Sequence, residues 1–356
     1  MRALIYDPYV DTMGGGERYV LTFATALAKA GYQVDLAWKD DNVTSLALRR
    51  FNLDISGIKI DREAHRDLSL SAGLLARYRR TKDYDLVFWV SDGSLPYLFG
   101  KKNYLHFQVP FKNIGGNPVN NFIKAARINK LIFNSHFTEA VIKKQLPFVS
   151  SVVLYPPIDT QGFRRGKKEN IILSVARFDS PSHAKRQDIL IEAFKKLHDQ
   201  KKETKFILVG AVKGEGGEDY LETLKQVAGK LPVKFIANPS FDELKNLYAK
   251  AKVFWHAAGF GIDEMKEPEK VEHFGITTVE AMSAGVVPVV IDKGGQREII
   301  VPGTGFLSNS VEDLVRTTVD LLNSPDHLEQ ISLQAVNRAQ YFNQDNFAVE
   351  VRELIK

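Results

Sequence analysis

Glu272-His-Phe-Gly-Ile-Thr-Thr-Val-Glu280-Ala-Met-Ser-Ala-Gly285-Val-Val-Pro-Val-Val290 sets two carboxylates eight positions apart and then runs into apolar sequence. Phe274-Gly275 reads as a turn, Thr277 to Ala284 as a helix ending near Gly285, and Val286 to Ile291 as a buried strand of a parallel sheet. A helix start after a turn offers free backbone N–H groups, where a diphosphate can sit. Glu280 stands one turn inside the helix and Glu272 just ahead of the turn. The two carboxylates can therefore accept from hydroxyls on opposite sides of the phosphates, which is the layout of a nucleotide-sugar: ribose, diphosphate, hexose. On spacing alone, two glutamates at a helix start are more simply solvated acids that the helix dipole favours.

The same strand–helix alternation extends in both directions. Before it, Asn170 to Val175, Lys205 to Gly210, Val233 to Ile236 and Val253 to His256 read as strands, separated by helices at Gln187 to Gln200, Glu218 to Gly229 and Phe241 to Lys250. The first half repeats the pattern with strands at Ala3 to Tyr6, Gln33 to Trp38, Leu86 to Val90, Asn103 to Phe107 and Lys130 to Asn134, and a helix at Gly16 to Ala30. Such alternation predicts an α/β chain with two doubly wound parallel sheets. The polar stretch Arg164-Arg165-Gly166-Lys167-Lys168 reads as a linker. The expected domains are 1–162 and 163–341, with a helix at about 342–356 that crosses back onto the first.

Composition sets the outer bounds. At 356 residues and 44% hydrophobic, the chain is long and apolar enough for two cores. A net charge of +5 suits anionic ligands or an anionic membrane surface but is too mild to argue nucleic acid. With no cysteine, disulfides, thiolate metal sites and a cysteine nucleophile are excluded. Met1 to Asp7 runs straight into strand-like sequence, unlike a secretory leader, and no apolar run reaches the ~20 residues of a membrane span. A cytoplasmic protein is expected.

Other residues carry candidate chemistry. Gly14-Gly15-Gly16-Glu17-Arg18 joins the first strand to the first helix, where glycines permit close backbone approach and the helix start offers donors. Asp35, about 20 residues on, invites a dinucleotide reading, but the spacing is not G-x-G-x-x-G and Asp35 falls inside a strand. Arg177 and Lys185 lie where strands of an open α/β sheet end, the crevice side, and paired cations there suit a diphosphate. They read equally as solvated surface charge. His106, ending a strand, reads on its own as a structural hydrogen-bonder. Asp83-Tyr84-Asp85 is formally D-x-D but reads as a solvated turn, and His-Glu-x-x-His is absent, so no metal is expected. Gly259 to Val271 reads as a charged loop. Leu68 to Lys82 and Phe111 to Asn129 read as amphipathic, with basic faces.

The string from Glu272 to Pro288, with Glu-x-Phe-Gly and Glu-Ala-Met-x-x-Gly, resembles the E-x7-E signature of family-4 retaining glycosyltransferases. The Gly14 to Arg18 loop, His106, Asn134-Ser135, Tyr155-Pro156-Pro157-Ile158-Asp159, Arg177 and Lys185 extend the likeness along nearly the whole chain. Within that family, Gly-Gly-Gly-Glu-Arg with Tyr-Pro-Pro is similar to the mannosyltransferases that extend dolichol-linked oligosaccharides. The chain departs from many relatives at His256-Ala-Ala-Gly, where they carry Pro-Ser-x-x-Glu.

The resemblance implies a GT-B fold of two Rossmann-like domains facing a cleft, acceptor domain first and donor domain second. It implies a retaining, metal-independent hexosyltransferase with no cofactor, using a GDP- or UDP-sugar and a glycan or lipid-linked acceptor, in peripheral contact with an anionic membrane. The implied catalytic residues are His106, Arg177, Lys185 and Glu272. Gly15, Gly16, Arg177, Lys185, Asn238, Glu272, Phe274, Gly275, Ile276, Thr277 and Glu280 would hold the donor, with His106 near the sugar and the Asn238 loop near the base. A sugar-nucleotide epimerase and a non-catalytic sugar-nucleotide-binding protein are the rival readings.

Overall fold

The computed structural model describes residues 1–69, 72–179, 185–212 and 214–356. The chain forms two compact units, Met1–Pro157 with Gln344–Lys356, and Ile158–Asn343.

The first unit runs β1 (Arg2–Tyr6), α1 (Gly15–Lys29), β2 (Gln33–Ala37), α2 (Asn42–Phe51), β3 (Lys59–Ile60), α3 (Arg62–Leu68), α4 (Leu74–Thr81), β4 (Leu86–Val90), β5 (Lys102–Phe107), α5 (Pro118–Ala125), β6 (Lys130–Phe133), α6 (His136–Ile142) and β7 (Ser151–Val153). The sheet order is β3-β2-β1-β4-β5-β6-β7, all parallel, with Ile5 in register with Leu36 on one side and Phe88 on the other. Both faces are covered, which is why β4 is buried at every position. Ile5, Phe88 and Ile132 serve one core layer, while Leu4, Val87, Trp89 and Leu131 serve the other.

Local chemistry sets the helix starts. The Glu17 carboxylate accepts the Gly14 N–H at 2.6 Å ahead of α1, and Ser135 caps α6 by accepting from the Thr138 N–H. The C-terminal helix, Gln344–Ile355, lies in this unit, with Phe347 edge-on to Tyr19 and the Leu354 carbonyl accepting from the Tyr104 hydroxyl.

The second unit runs β8 (Ile171–Val175), α7 (Gln187–His198), β9 (Lys205–Gly210), α8 (Gly214–Ala228), β10 (Val233–Ala237), α9 (Phe241–Lys250), β11 (Val253–His256), α10 (Ile276–Ser283), β12 (Val287–Ile291), α11 (Gln296–Ile299), β13 (Phe306–Ser308), α12 (Val311–Asn323) and α13 (Pro325–Ala339). Its parallel sheet has the order β10-β9-β8-β11-β12-β13. In both units the strand order reverses beside the first strand, between β1 and β4 and between β8 and β11. Ligands of doubly wound sheets bind beyond the carboxyl ends at that switch.

The two units divide after Pro157, near the expected 162, and the chain returns after Asn343, near the expected 341. The linker stretch is exposed from Arg164 to Lys167, but it is tied down at both ends. Phe163 is fully buried, Arg165 lies over Gly285, and the Lys168 ammonium donates to the Tyr248 and Ala284 carbonyls at 3.3 and 2.7 Å. Burial pushes Lys168 down to about 7. Among the described residues, the two amphipathic stretches hold the short helices α4 and α5.

Candidate active site

Of the expected site residues, Lys185 and Glu272 meet at the carboxyl end of the second unit's sheet. Arg177 follows β8 and is solvent-exposed, its guanidinium 3.7 Å from Asp179. Its carbonyl accepts from Gln187 Nε2 at 3.0 Å, tying the start of α7 to the end of β8 just after Lys185. From that position the Lys185 ammonium reaches Glu272 Oε2 at 3.0 Å. The same oxygen lies 3.1 Å from Nε2 of His256, the last residue of β11.

His256 is buried, and its Nδ1 accepts weakly from the Ala258 N–H at 3.4 Å, which assigns the Nε2 proton to the carboxylate. Burial alone would raise the Glu272 carboxyl, but Lys185 and then His256 hold it well below the usual carboxylate range. Oε2 takes both contacts, so among the described residues Oε1 remains for a ligand hydroxyl.

The backbone around Glu272 is equally fixed. Gly275 precedes α10 at φ +117°, and a Cβ there would stand 3.0 Å from Gln296 and Ile299. Gly295 N–H donates to the Glu272 carbonyl at 2.8 Å, and a Cβ on Gly294 would come within 2.1 Å of that oxygen. Phe274 is buried against Phe342, whereas Ile276 and Thr277 are partly open. The first amides of α10 therefore sit beside the Glu272–Lys185 pair. Glu280, one turn further, is buried and accepts from the Tyr248 hydroxyl at 3.2 Å.

Asn238 follows β10 with φ +51°, exposed, and its side-chain oxygen accepts from the Val212 N–H at 3.0 Å beyond β9. It thus joins the loops at the carboxyl ends of β9 and β10. Sequence reasoning missed His256, Gly294-Gly295 and Tyr248. Only the glycine pair, shortly after an apolar strand, carried a local signal. The charged loop from Gly259 is pinned rather than free, since Arg186 donates to the Phe260 carbonyl and Glu264 accepts from Arg297 and the Gly294 N–H.

In the first unit, Gly15 and Gly16 open α1 and are partly exposed. A Cβ on Gly16 would stand 2.0 Å from the Gln108 side chain, which donates to the Gly16 carbonyl, and Asn134 donates to the Gln108 carbonyl. Asp7, ending this turn of the sheet, is buried and accepts from the Tyr9 N–H. Burial and then Glu17 push its carboxyl up to about 7.

His106, expected at the sugar, lies in β5. It is fully buried, its Nδ1 lies 3.0 Å from the Ile132 carbonyl, and its ring stacks on Tyr19 at 4.2 Å. Burial pushes it down to about 3, so it is neutral. Asp83 is exposed in the turn ahead of β4, whereas the next two residues are committed. Tyr84 is buried and donates to Asp35 at 2.6 Å, and Asp85 accepts from the Arg2 N–H and Lys101. Asp35 is likewise committed, to Tyr84 and Arg2. Among the described residues no group of three or more His, Asp or Glu could hold a metal ion.

Known proteins resemble this chain in sequence and in fold. A family model described as "Glycosyl transferases group 1" matches residues 158–338, and one described as "Glycosyltransferase Family 4" matches residues 13–161. Curated relatives are named "GDP-Man:Man(3)GlcNAc(2)-PP-Dol alpha-1,2-mannosyltransferase". The protein of that name from Dictyostelium discoideum is 29% identical over 67% of this chain and 48% of its own length, and the one from Homo sapiens 30% over 55% and 42%. The chain thus spans under half the length of these relatives. Among solved structures, a glycosyltransferase from Rickettsia africae superposes with a TM-score of 0.77 at 18% identity, covering 100% of this chain and 97% of that one. Anabaena Alr3699/HepE in complex with UDP superposes at 0.74 and 19% identity, covering 99% of each chain.

Proposed function

The chain belongs to the group 1 glycosyl transferases, with a family-4 first half and the two-sheet GT-B fold, and we propose that it moves mannose from GDP-mannose, with retention, to a hydroxyl of a lipid-linked glycan. The observation that carries this reading is Glu272 Oε2 shared between Lys185 and His256 at the start of α10. Three things are supplied there together: a cation for phosphate, a fixed carboxylate for sugar hydroxyls, and free amides. The relatives' names supply mannose, GDP and the lipid-linked acceptor.

In this mechanism the acceptor oxygen attacks C1 on the face from which the diphosphate departs. The C1–O bond to phosphate breaks, GDP leaves, and the acceptor proton passes to a donor phosphate oxygen. The protein contributes position and charge. Lys185 exchanges Glu272 for the phosphate, Arg177 adds a second cation, and the amides of Ile276 and Thr277 complete the cradle, so that charge building on the leaving group is met without a metal. His256 keeps Glu272 aimed when Lys185 moves, leaving Oε1 to accept from the sugar. Glu280 accepts from the ribose and the Asn238 loop faces the base. In the first unit His106 stacks on Tyr19 behind the start of α1, the helix that Gly15 and Gly16 open.

Glu280→Ala is expected to weaken GDP and GDP-mannose together by at least about tenfold, since charge-assisted bonds contribute about 1.5–3 kcal/mol each. Titration calorimetry checks this, and unchanged GDP affinity would remove the ribose assignment.

Peripheral membrane contact is part of the proposal, and no helix among the described residues is long and apolar enough to cross a bilayer. Leu74, Leu75 and Tyr78 on α4, Val119, Phe122 and Ile123 on α5, and Phe148 are all exposed. The two helices share a seat, because Tyr78 meets Phe99 edge-on and Lys124 covers Tyr97. Exposed Arg79, Lys82, Arg127 and Lys144 accompany this apolar surface, a pairing suited to an anionic bilayer. Sedimentation with vesicles rich in anionic lipid should carry the protein down at low salt and release it as salt rises, since screening acts within ~10 Å at 0.1 M. A protein that stays in the supernatant at low salt would point to a soluble acceptor.

A further inference from the structure

We infer that Tyr248 and Lys168 are positioning residues that lock α10 so that Glu280 presents a fixed carboxylate to the ribose; this rests on the ribose reading of Glu280 above. Tyr248 lies on α9, fully buried, with its ring edge-on to Phe163 at 5.2 Å. Its hydroxyl is 3.2 Å from Glu280 Oε2 and 3.2 Å from the Thr277 carbonyl, so one phenol touches both the side chain and the first turn of α10. Burial, with Glu280 second, holds that phenol well above its usual range, so it remains the donor.

The other end of α10 returns to the same residue. Lys168 donates at 2.7 Å to the carbonyl of Ala284, which closes α10, and at 3.3 Å to the carbonyl of Tyr248 itself. An amine donating to the carbonyl that closes a helix satisfies a group the helix itself leaves unpaired, and here it also bridges two helices. Glu280 is thus fixed by its own side chain and by both ends of its helix.

A phenol serving packing alone would need only the Thr277 carbonyl. The contact with Glu280 restricts the carboxylate to one rotamer, and a ribose diol recognised by two parallel bonds requires that restriction.

The test compares GDP with 2′,3′-dideoxy-GDP on the wild type, Tyr248→Phe and Lys168→Met by calorimetry, with melting temperature recorded for each. The wild type should prefer GDP by about tenfold or more, one such step being about 1.4 kcal/mol. Tyr248→Phe should keep its affinity for the dideoxy compound and lose most of the preference, and Lys168→Met should lose about half of it on a logarithmic scale. A variant that merely loosens the fold would weaken both ligands alike and keep the ratio. If the wild type does not prefer GDP, the ribose reading of Glu280 is wrong. If it does, and both variants keep the full ratio, the positioning role is wrong; should Tyr248→Phe not fold, an unchanged ratio in Lys168→Met overturns it alone.

Discussion

Lys185→Ala is expected to lower turnover by about a hundred- to a thousandfold, the effect of removing one fixed charge-stabilising donor, about 2.7–4 kcal/mol. The ammonium sits on the residue two before α7, and among the described residues its acidic partner is Glu272 at 3.0 Å. Its removal withdraws the cation nearest the α10 amides and leaves Glu272 held by His256 alone. GDP should also bind more weakly, because the product diphosphate carries the charge that Lys185 meets in the transition state. Steady-state kinetics with GDP-mannose, alongside GDP titration, check both. Lys185→Arg should restore only part of the rate, since a planar guanidinium cannot occupy a point charge's place. Turnover within threefold of wild type for the alanine variant would place the diphosphate elsewhere.

Glu272→Ala is expected to cost at least about a hundredfold in turnover while GDP affinity stays within about threefold. The carboxylate's proposed partner is the hexose, and two charge-assisted bonds to hydroxyls are together worth a few kcal/mol. Lys185 is freed, not lost, so the diphosphate keeps its cation. Equal loss of GDP binding in Glu272→Ala and Glu280→Ala would mean that the two carboxylates have been given the wrong ends of the donor. His256→Ala should follow Glu272→Ala at smaller amplitude, because it releases the carboxylate's second anchor.

Much of this was legible in the residues because parallel strands covered on both faces are continuous apolar runs. Leu86 to Val90 and Val253 to His256 are read in full from sequence and are buried throughout. The strands Lys59–Ile60, Ser151–Val153 and Phe306–Ser308 were not, since two or three residues at or near a sheet edge carry no period. Glu272 and Gly275 could be named because their spacing about a turn is local, and Lys185 because it stands ahead of a helix on the crevice side of its sheet. His256 could not be given a role, because its partner lies sixteen residues on, across a charged loop. Lys168 was misread for a different reason: a run of basic residues signals solvent, but a long apolar stem lets its head reach carbonyls inside. His106 shows the converse, a polar residue at a strand end that packs in the core.

The account is tested most directly by following GDP-mannose and a lipid-linked oligomannose acceptor with the protein by proton NMR of the anomeric signals, in excess chelator. It predicts that the donor signal declines as GDP forms and that a new α-configured mannosyl signal grows on the acceptor. A β-configured product, a changed sugar still attached to its nucleotide, or a donor that remains intact until magnesium is added would contradict it.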